Sequence, residues 1–529
     1  MADLLTHLRQ RSGDDWLVGY DSQEFFALVE RLLGELRSRP NSDTPLTILL
    51  AERDPLAFLV YFVAAYVGNC NIVLANPDWV DAEWHQVWKL MQPDLLWGEA
   101  AAGRGERGAG GAAACSELKR PDTRHPTPDT RHPTPHILIP TGGTSGKIRF
   151  VIHTWETLMA SVQGFREYFG VDQINSFCVL PLYHVSGLMQ FLRSFTTGGH
   201  LVILPFKAVE AGDRGLIDPE TFFLSLVPTQ LQRLLNHDGL GDDRESEVKS
   251  QKVGTRSQNS KLSSLLARRA TQNSPTWLSR FHTVLLGGAP AWSDLLDRAR
   301  NHRIRLAPTY GMTETASQIA TLKPDDFLNG YTNSGQVLPH AQITIRDTSG
   351  EILKADQIGN VTIQAASLSW GYFPPLSLTH HTVRLSAPVE ATPPPPPSFQ
   401  PDDLGYLDTN GYLHIVGRQS DKIITGGENV FPAEVEAAIR STALVQDICV
   451  IGVSDRQWGQ AITAVYVPIN AATPTVTIQA ALNDKLSKFK CPKHWITVDQ
   501  LPRNAQGKVN RPHVEAIAKA WLSTAATID

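Results

Sequence analysis

The chain has 529 residues, of which 42% are hydrophobic and 19% are charged, and its formal net charge is −5 at pH 7. Because this length exceeds what one ordinary hydrophobic core organises, we expect two or more domains. A weak negative charge without a long basic run argues against nucleic acid as a partner.

The N-terminal part alternates helices and strands. Apolar positions at helical spacing predict a helix over 22–38, which Pro40 ends. Thr47–Leu50 and 72–74 predict buried strands, and the apolar run 57–67 between them predicts a buried helix. This run is shorter than the roughly 20 residues that span a bilayer, so no transmembrane segment is expected. Strand, helix and strand in this order indicate a parallel α/β layer.

Three stretches lack the apolar positions that a folded core needs. Residues 100–135 begin rich in glycine and alanine and then repeat the heptamer 121–127 unchanged at 128–134. Residues 237–262 are mainly polar, and 387–400 contain a run of prolines. These compositions predict disordered surface insertions without a chemical role that can be read from them.

Between the insertions, regular elements return. Residues 155–169 read as a helix, and 177–180, 201–204 and 283–286 read as short buried strands. Each of these strands runs into a glycine-rich or polar loop. Ligands of open α/β sheets bind at such carboxyl ends, so we expect the functional site there.

The cysteines and the N-terminus indicate the compartment. The five cysteines are scattered, odd in number and never in Cys-x-x-Cys spacing, which argues against a disulfide framework or a zinc site. The first residues lack a basic region followed by an apolar one, so no secretory signal is expected. Both features fit a cytoplasmic protein.

One loop between two apolar runs is suited to a polyphosphate. It consists of Thr141, Gly142, Gly143, Thr144, Ser145, Gly146 and Lys147. Glycines let backbone N–H groups wrap an anion, while hydroxyls and a lysine add donors and charge. The loop is not a P-loop, because Ile148 follows the lysine and the next segment is strand-like. By itself it is also compatible with a solvated turn in a hairpin.

Four further residues suited to this chemistry follow later in the chain. The ring of Tyr310 suits a nucleobase, and Glu314 suits a Mg²⁺ ion that keeps most of its waters. Asp403 precedes a glycine turn, where it could accept from ribose hydroxyls, and Lys508 lies on a loop framed by proline and glycine. Taken singly, these residues are equally compatible with core, cap, turn and surface roles.

Together and in this order, these motifs resemble the adenylate-forming superfamily of acyl-CoA synthetases, adenylation domains and luciferases. The resemblance covers nearly the whole chain outside the insertions. It implies a layered α/β domain over 1–418 and a small mobile α+β domain over 419–529. It also implies a two-step reaction that uses ATP, Mg²⁺ and CoA: a carboxylate forms an acyl-adenylate and pyrophosphate, and a thiol then displaces AMP.

The resemblance also implies roles for particular residues. The loop 141–147 would hold the β- and γ-phosphates. The residues assigned to the rest of ATP are Tyr310 for adenine, Asp403 and Arg418 for ribose, and Thr313 and Glu314 for the α-phosphate and Mg²⁺. Lys508 would reach the α-phosphate and the carboxylate during adenylation. Gly426 and Gly427 would line the channel for the CoA arm, since a narrow tunnel leaves no room for side chains.

Several departures point to a subgroup. Pro401–Asp402 replaces the usual Thr-Gly before the ribose aspartate, and Ser420 occupies a hinge position where many relatives carry Asp. The segments 181–187, 225–231 and 418–432 resemble the ligases that activate 2-succinylbenzoate in menaquinone and phylloquinone biosynthesis. Another acyl- or aryl-CoA ligase is the alternative, and a non-catalytic nucleotide-binding relative is a more remote one.

A dicarboxylate substrate would need a cation at the far end of its pocket. Arg193 lies in an otherwise apolar stretch, and arginine is a natural bidentate partner of a carboxylate. The alternative is an arginine that reaches solvent from a surface helix. The other pocket candidates are His184, Ser186, Thr229, Gly287 and Gly288. His184 is expected to be a gate or positioning residue, because a carboxylic acid is already ionised near pH 7.

Overall fold

The structure is a computed structural model. It describes residues 4–39, 45–98, 116–117, 135–142, 148–215, 217–236, 276–374, 398–426, 428–455, 458–470, 473–483, 485–503 and 508–525. The predicted insertions fall almost entirely outside these ranges. Two short pieces of them are described. Ser116–Glu117 pairs with Leu95 and Leu96, and Ser398–Phe399 pairs with Ile363 and Gln364.

A seven-stranded sheet contains the predicted N-terminal α/β layer. Its strands, in spatial order, are Tyr372–Phe373, Ile148–His153, Ile137–Gly142, Asn71–Leu74, Thr47–Leu50, Leu95–Trp97 and Ser116–Glu117. Thr47–Leu50 and Asn71–Leu74 pair in parallel, as the sequence predicts. The helix between them, Pro55–Val67, begins with proline in its first turn, and the Asp54 side chain accepts from Ala57 N–H. Proline is suited to that position because its missing N–H would have no helical partner.

An eight-stranded sheet carries the predicted loops. Its strands, in spatial order, are Leu17–Val18, Leu201–Ile203, Asn175–Cys178, Phe222–Leu226, Thr283–Leu286, Leu306–Met312, Ser317–Thr321 and Gln336–Val337. The strands are parallel up to Leu306–Met312, and the last two pairings are antiparallel. The strand predicted at 177–180 is Asn175–Cys178 instead, because the chain turns after Cys178 into the loop before His184.

Helices fill the space between these two sheets and cover their outer faces. The described α-helices of this part are Leu4–Gln10, Ser22–Arg37, Pro55–Val67, Asp81–Leu90, Trp155–Phe169, Val185–Thr197, Phe206–Glu210, 228–236, Ser293–Asn301 and Pro324–Leu328. The largest core cluster includes Phe62, Phe191, Ile48 and Leu201, and so joins residues of both sheets through the helices between them. The helix Val185–Thr197 therefore runs through the interior.

Two smaller sheets complete the fold. The first pairs Ala341–Arg346, Gly359–Ala365, Asp403–Leu407 and Leu413–Arg418 in this order, with Ser398–Phe399 beside Gly359–Ala365. The second pairs Glu428–Val430, Ile423–Thr425, Gly459–Pro468 and Val445–Asp455, with His494–Thr497 beside Gly459–Pro468. The helices Pro432–Arg440, Thr475–Ala480 and Arg511–Ala525 accompany the second sheet. This C-terminal part has core clusters of its own. No described helix is long and apolar enough to cross a membrane.

Candidate active site

Parallel strands bring several predicted residues to one edge of the eight-stranded sheet. Asn175–Cys178, Phe222–Leu226, Thr283–Leu286 and Leu306–Met312 are consecutive neighbours, so their carboxyl ends lie side by side. The residues that follow these ends are His184 and Ser186, then Thr229, then Gly287 and Gly288, and Tyr310 lies within the last strand. The predicted acid pocket and the predicted adenine residue therefore share this edge.

Tyr310, Asp403 and Arg418 form one contact group. The Tyr310 hydroxyl donates to Asp403 Oδ2 at 2.6 Å, and Arg418 Nε lies 3.6 Å from Asp403 Oδ1. Burial raises the pKa of Asp403, while Tyr310 and Arg418 oppose that shift. The pKa of Tyr310 is raised well above its ordinary value by burial and by the Asp403 charge. Tyr310 and the facing residues Asp403 and Arg418 of two paired strands thus form a polar group next to the strand edge.

The turn that carries Thr313 and Glu314 is held by hydrogen bonds to its backbone. His153 Nε2 contacts Thr313 O at 2.7 Å, and Ser161 Oγ donates to Ala316 O at 2.7 Å. Ala316 has a φ of 51°, a left-handed conformation that is uncommon for residues other than glycine. These bonds compensate for that backbone conformation and fix the direction in which the turn presents its side chains.

Glu314 has a side-chain partner that the sequence did not predict. The Tyr372 hydroxyl donates to Glu314 Oε1 at 2.5 Å, and Ser369 N donates to Glu314 O at 2.9 Å. Burial and the Glu314 charge raise the pKa of Tyr372, so it remains a donor. The described residues contain no group of three or more metal-ligating side chains. Glu314 fits a Mg²⁺ ion that takes one protein carboxylate and completes its shell with phosphate oxygens and water.

The phosphate loop begins beside this turn. Ile137–Gly142 and Ile148–His153 pair antiparallel, with Thr141 opposite Arg149 and Gly142 opposite Ile148. Tyr372 pairs with Val151 on the strand that leaves the loop. The base of the loop is therefore next to the partners of Thr313 and Glu314. The remaining loop residues, Gly143, Thr144, Ser145, Gly146 and Lys147, lie outside the described residues, and their role stays a prediction.

Lys508 of the C-terminal part comes close to this group. The residue is exposed as a whole, but the charges of Arg418, Glu314 and Asp403 act on its ammonium group. Loss of surrounding water and the Arg418 charge lower its pKa, and the two carboxylates oppose this shift. Lys508 also lowers the pKa of His184. The predicted lysine thus lies between the nucleotide residues and the predicted acid pocket.

His184 is the N-cap residue of the helix Val185–Thr197, but its side chain does not cap it. Its pKa is lowered to about 4 by burial and by Lys508, and among the described residues its Nε2 has no hydrogen-bond partner. A neutral imidazole with one unused nitrogen suits a positioning contact. Beyond it, a Cβ at Gly287 would lie 2.5 Å from Thr309 Oγ1, so the chain passes close to that strand.

Arg193 lies inside the protein and not on a surface helix. It is 3% exposed, and its Nη2 donates to Ser317 Oγ at 3.1 Å and to Gln318 Oε1 at 3.0 Å. The guanidinium also lies over the Phe165 ring, 4.3 Å from its centroid. No carboxylate among the described residues forms an ion pair with it, and burial lowers its pKa to about 9. The alternative of an arginine reaching solvent is wrong, since this one is a buried cation with neutral partners.

Two departures from the family pattern contact each other. Ser420 N donates to Asp402 Oδ2 at 3.2 Å, and Gln419 N donates to Asp402 O at 2.8 Å. The carboxylate that replaces a glycine therefore binds the backbone at the predicted hinge. Gly426 has a φ of 57°, a left-handed conformation that favours glycine, and its N–H donates to Trp458 O at 2.9 Å. Its role in a CoA channel stays a prediction. Gly427 lies outside the described residues.

Sequence reasoning missed His153, Ser161, Ser369 and Tyr372. Each of them acts on the Thr313–Glu314 turn from a distant part of the chain. His153 is the last residue of the strand Ile148–His153, which follows the predicted phosphate loop. Tyr372 lies on the neighbouring strand, opposite Val151. Local periodicity gives no signal for such contacts, because they are created only when the two sheets meet.

The sheets, the strand-edge residues and the C-terminal lysine define the class of adenylate-forming enzymes. The chain belongs to the AMP-binding enzyme family: the model of that family matches residues 47–373, and the AMP-binding enzyme C-terminal domain matches 434–508. The 2-succinylbenzoate–CoA ligase of Listeria monocytogenes is 29% identical over 492 residues, 92% of each chain. That of a Geobacillus species is 29% identical over 379 residues, 71% of this chain and 68% of the relative.

Solved structures show the same fold. The o-succinylbenzoate CoA synthetase of Bacillus subtilis, in complex with its acyl-adenylate intermediate, has a TM-score of 0.71 at 24% identity, covering 96% of this chain and 97% of that chain. ATP-bound MatB of Rhodopseudomonas palustris has a TM-score of 0.70 at 21% identity, covering 98% of both chains. The predicted fold class, a layered α/β part followed by a smaller C-terminal α+β part, is confirmed.

Proposed function

We propose that this chain is an AMP-forming ligase that converts 2-succinylbenzoate to its acyl-adenylate and then to 2-succinylbenzoyl-CoA, with release of pyrophosphate and AMP. The observation that carries the proposal is the convergence of Lys508, Glu314, Asp403 and Arg418 at one strand edge. The choice of acid rests on the relatives named 2-succinylbenzoate–CoA ligase and on the buried cation Arg193.

ATP would bind across the Tyr310 group. The tyrosine ring would stack on adenine, while Asp403 and Arg418 would hold the ribose hydroxyls. The hydrogen bond from Tyr310 to Asp403 supports this, because it fixes the carboxylate beside the ring. The loop 141–147 would surround the β- and γ-phosphates. Mg²⁺, when bound at Glu314, would supply charge neutralisation at the phosphates.

Adenylation forms a bond between a carboxylate oxygen and the α-phosphorus of ATP and breaks the bond to pyrophosphate. Negative charge accumulates on the α-phosphate oxygens, so a fixed ammonium group there lowers the barrier. Lys508 is the proposed donor, and Thr313 is the proposed hydroxyl partner. The hydrogen bonds from His153 and Ser161 to the backbone of this turn support a fixed position of Thr313. In the second step the CoA thiolate attacks the acyl carbonyl and AMP leaves.

The acid would lie between His184 and Arg193, with its succinyl carboxylate toward the nucleotide. The aromatic carboxylate would then pair with the Arg193 guanidinium, whose partners in the structure are all neutral. Ser186, Thr229 and the Gly287–Gly288 pair would form the walls. His184 would contact the acid as a neutral imidazole, since its pKa is lowered to about 4.

The remaining parts of the proposal concern CoA and the domains. The arm of CoA would pass Gly426 and Gly427. The domain boundary would fall after Arg418, where Asp402 binds the backbone of the next two residues. We also propose a cytoplasmic location. The described cysteines, Cys70, Cys178, Cys449 and Cys491, are all free, as in most proteins of a reducing compartment.

The first experiment compares acids. AMP release is measured with ATP, Mg²⁺ and CoA, using 2-succinylbenzoate, benzoate, cinnamate and a medium-chain fatty acid. We expect strong preference for 2-succinylbenzoate, and ATP–pyrophosphate exchange with the same preference when CoA is left out. Activity with another acid alone would keep adenylation and overturn the substrate. Absence of exchange with every acid would overturn the catalytic proposal.

A further inference from the structure

A line of charged contacts connects the N-terminal part to the loop that carries Lys508. Arg440, at the end of the helix Pro432–Arg440, lies over the Trp292 ring with its guanidinium carbon 4.9 Å from the centroid. Trp292 belongs to the N-terminal part, and Arg440 to the C-terminal part. The contact therefore spans the two regions that must meet for Lys508 to reach Glu314 and Asp403.

Both members of this contact are fixed by their own surroundings. Arg440 Nη2 donates to Asp447 Oδ1 at 3.0 Å and to Ile448 O at 2.9 Å. Trp292 is the N-cap residue of the helix Ser293–Asn301 and packs against a buried core cluster. Because neither side chain must be ordered at the moment of contact, the interaction loses less to conformational entropy.

The carboxylate of Asp447 connects Arg440 to a residue near Lys508. Asp447 also forms an ion pair with Arg503 through its other oxygen. Arg503 in turn forms a backbone bridge with Val509, the residue after Lys508. The carboxylate of Asp447 is 18% exposed, and the arginine side chains on its two sides are 16% and 30% exposed. Such shielding makes ion pairs stronger than at an open surface.

We propose that Trp292, Arg440, Asp447 and Arg503 are positioning residues for Lys508. The contact with Trp292 holds the C-terminal part against the N-terminal part, and the Asp447 pair transmits that placement to the base of the Lys508 loop. The inference rests on the catalytic role proposed for Lys508. The contacts described above join these four residues to Val509, the neighbour of Lys508, so their effect on adenylation acts through the lysine.

The test variant is Trp292→Leu, which removes the ring and keeps an apolar side chain. We expect the maximal rate of ATP–pyrophosphate exchange to fall about 5- to 10-fold, the scale of a lost partly desolvated cation–π contact. The KM for ATP should change less. Trp292→Phe should restore most of the rate, because phenylalanine still offers a ring face to Arg440. Asp447→Asn, which weakens both ion pairs, should lose more than Trp292→Leu.

A matched control separates positioning from general damage. Trp277 lies under Arg214 at 4.5 Å, entirely within the N-terminal part, so Trp277→Leu removes the same kind of contact without affecting the Lys508 loop. Hydrogen–deuterium exchange should rise in the peptide 501–510 for Trp292→Leu and stay unchanged there for Trp277→Leu. This readout needs no substrate, so it holds even if the proposed reaction is wrong.

The decisive comparison uses a Lys508→Ala background. If Trp292 acts through the lysine, adding Trp292→Leu to Lys508→Ala should cause little further loss of exchange. Equal losses in both backgrounds would overturn the proposal, as would unchanged exchange kinetics and unchanged deuterium uptake in Trp292→Leu. An unmodified protein that fails to exchange with any acid would instead overturn the proposed function.

Discussion

The two ends of the candidate site differ in how their buried charges are satisfied. At the nucleotide end, Asp403 has the hydroxyl of Tyr310 at 2.6 Å and Arg418 at 3.6 Å. At the acid end, Arg193 is 3% exposed, and its partners in the described part of the chain are a hydroxyl, an amide and an aromatic ring. Among the described residues, the buried carboxylate of the nucleotide end therefore has a charged partner, whereas the buried cation of the acid end has none.

The difference has an energetic meaning. Burying a charge without an opposite charge is costly, and proteins normally pair such groups. Burial lowers the pKa of Arg193, and no charged partner that the structure describes opposes that shift. Burial raises the pKa of Asp403, and the contacts with Tyr310 and Arg418 oppose that shift. Evolution can retain an unpaired buried cation when a bound ligand supplies the missing charge. A substrate with a second carboxylate would do so, and a monocarboxylic fatty acid would not.

The largest expected effect is at the junction of the two ends, where Lys508 lies. Lys508→Ala should lower ATP–pyrophosphate exchange by roughly 10²-fold or more, the scale for removing a preorganised donor from a transition state. Lys519→Ala is the matched control, because Lys519 lies on the exposed C-terminal helix beside Glu515. An exchange rate in Lys508→Ala equal to that of the control would show that neither end of the site depends on this lysine.

The second prediction concerns the acid end. Arg193→Met keeps the length of the side chain and removes its charge. We expect the KM for 2-succinylbenzoate to rise roughly 10- to 100-fold, because hydrogen bonds to charged groups contribute about 1.5–3 kcal/mol. Thermal stability should fall little or even increase, since replacing a buried charge by an apolar side chain removes a desolvation cost.

Comparing 2-succinylbenzoate with a monocarboxylic analogue tests whether Arg193 binds the second carboxylate. The KM for a monocarboxylic analogue that lacks the aromatic carboxylate should be nearly the same in Arg193→Met and in the unmodified protein. If the KM for 2-succinylbenzoate is also unaltered, the acid end does not use this cation. In that case the charge of Arg193 is a structural feature of the helix Val185–Thr197, and the difference in charge between the two ends of the site says nothing about the substrate.

The third prediction concerns the nucleotide end. Tyr310→Phe keeps the ring for stacking and removes the hydroxyl that donates to Asp403. Asp403 would then retain Arg418 as its charged partner, and the KM for ATP should rise about tenfold, as expected for one hydrogen bond to a charged group. The KM for the acid should stay the same. A rise for the acid and not for ATP would mean that the two ends had been assigned in reverse.

The sequence alone predicts the residues of the nucleotide end better than the burial of the cation at the acid end. Tyr310, Glu314 and Asp403 stand out because each lies in a short, chemically distinctive motif, and strongly apolar elements such as Pro55–Val67 stand out by their pattern. The burial of Arg193 does not, since a cation in an apolar stretch also fits a surface helix. The support given by His153 and Tyr372 depends on contacts across 160 and 58 residues, which no local pattern encodes.

The last prediction concerns stability and tests the support of the nucleotide end through pH. His153 is fully buried, and burial lowers its pKa to about 4 from 6.5. Because the folded pKa lies below the unfolded one, its stabilising contribution is complete above about pH 6.5. It is lost as the pH falls toward 4. For a group this buried, the loss amounts to about 3 kcal/mol in the free energy of unfolding.

His153→Gln cannot titrate, so its stability should decline less between pH 6.5 and 4 than that of the unmodified protein. Urea unfolding at several pH values in this window measures the difference, with His85→Gln, at an exposed helical position, as the control. Parallel pH curves for His153→Gln and the unmodified protein would contradict the neutral, buried state of this histidine. The pKa of His153 would then be the same in the folded and the unfolded protein, so burial would not keep the ring neutral as the pH falls.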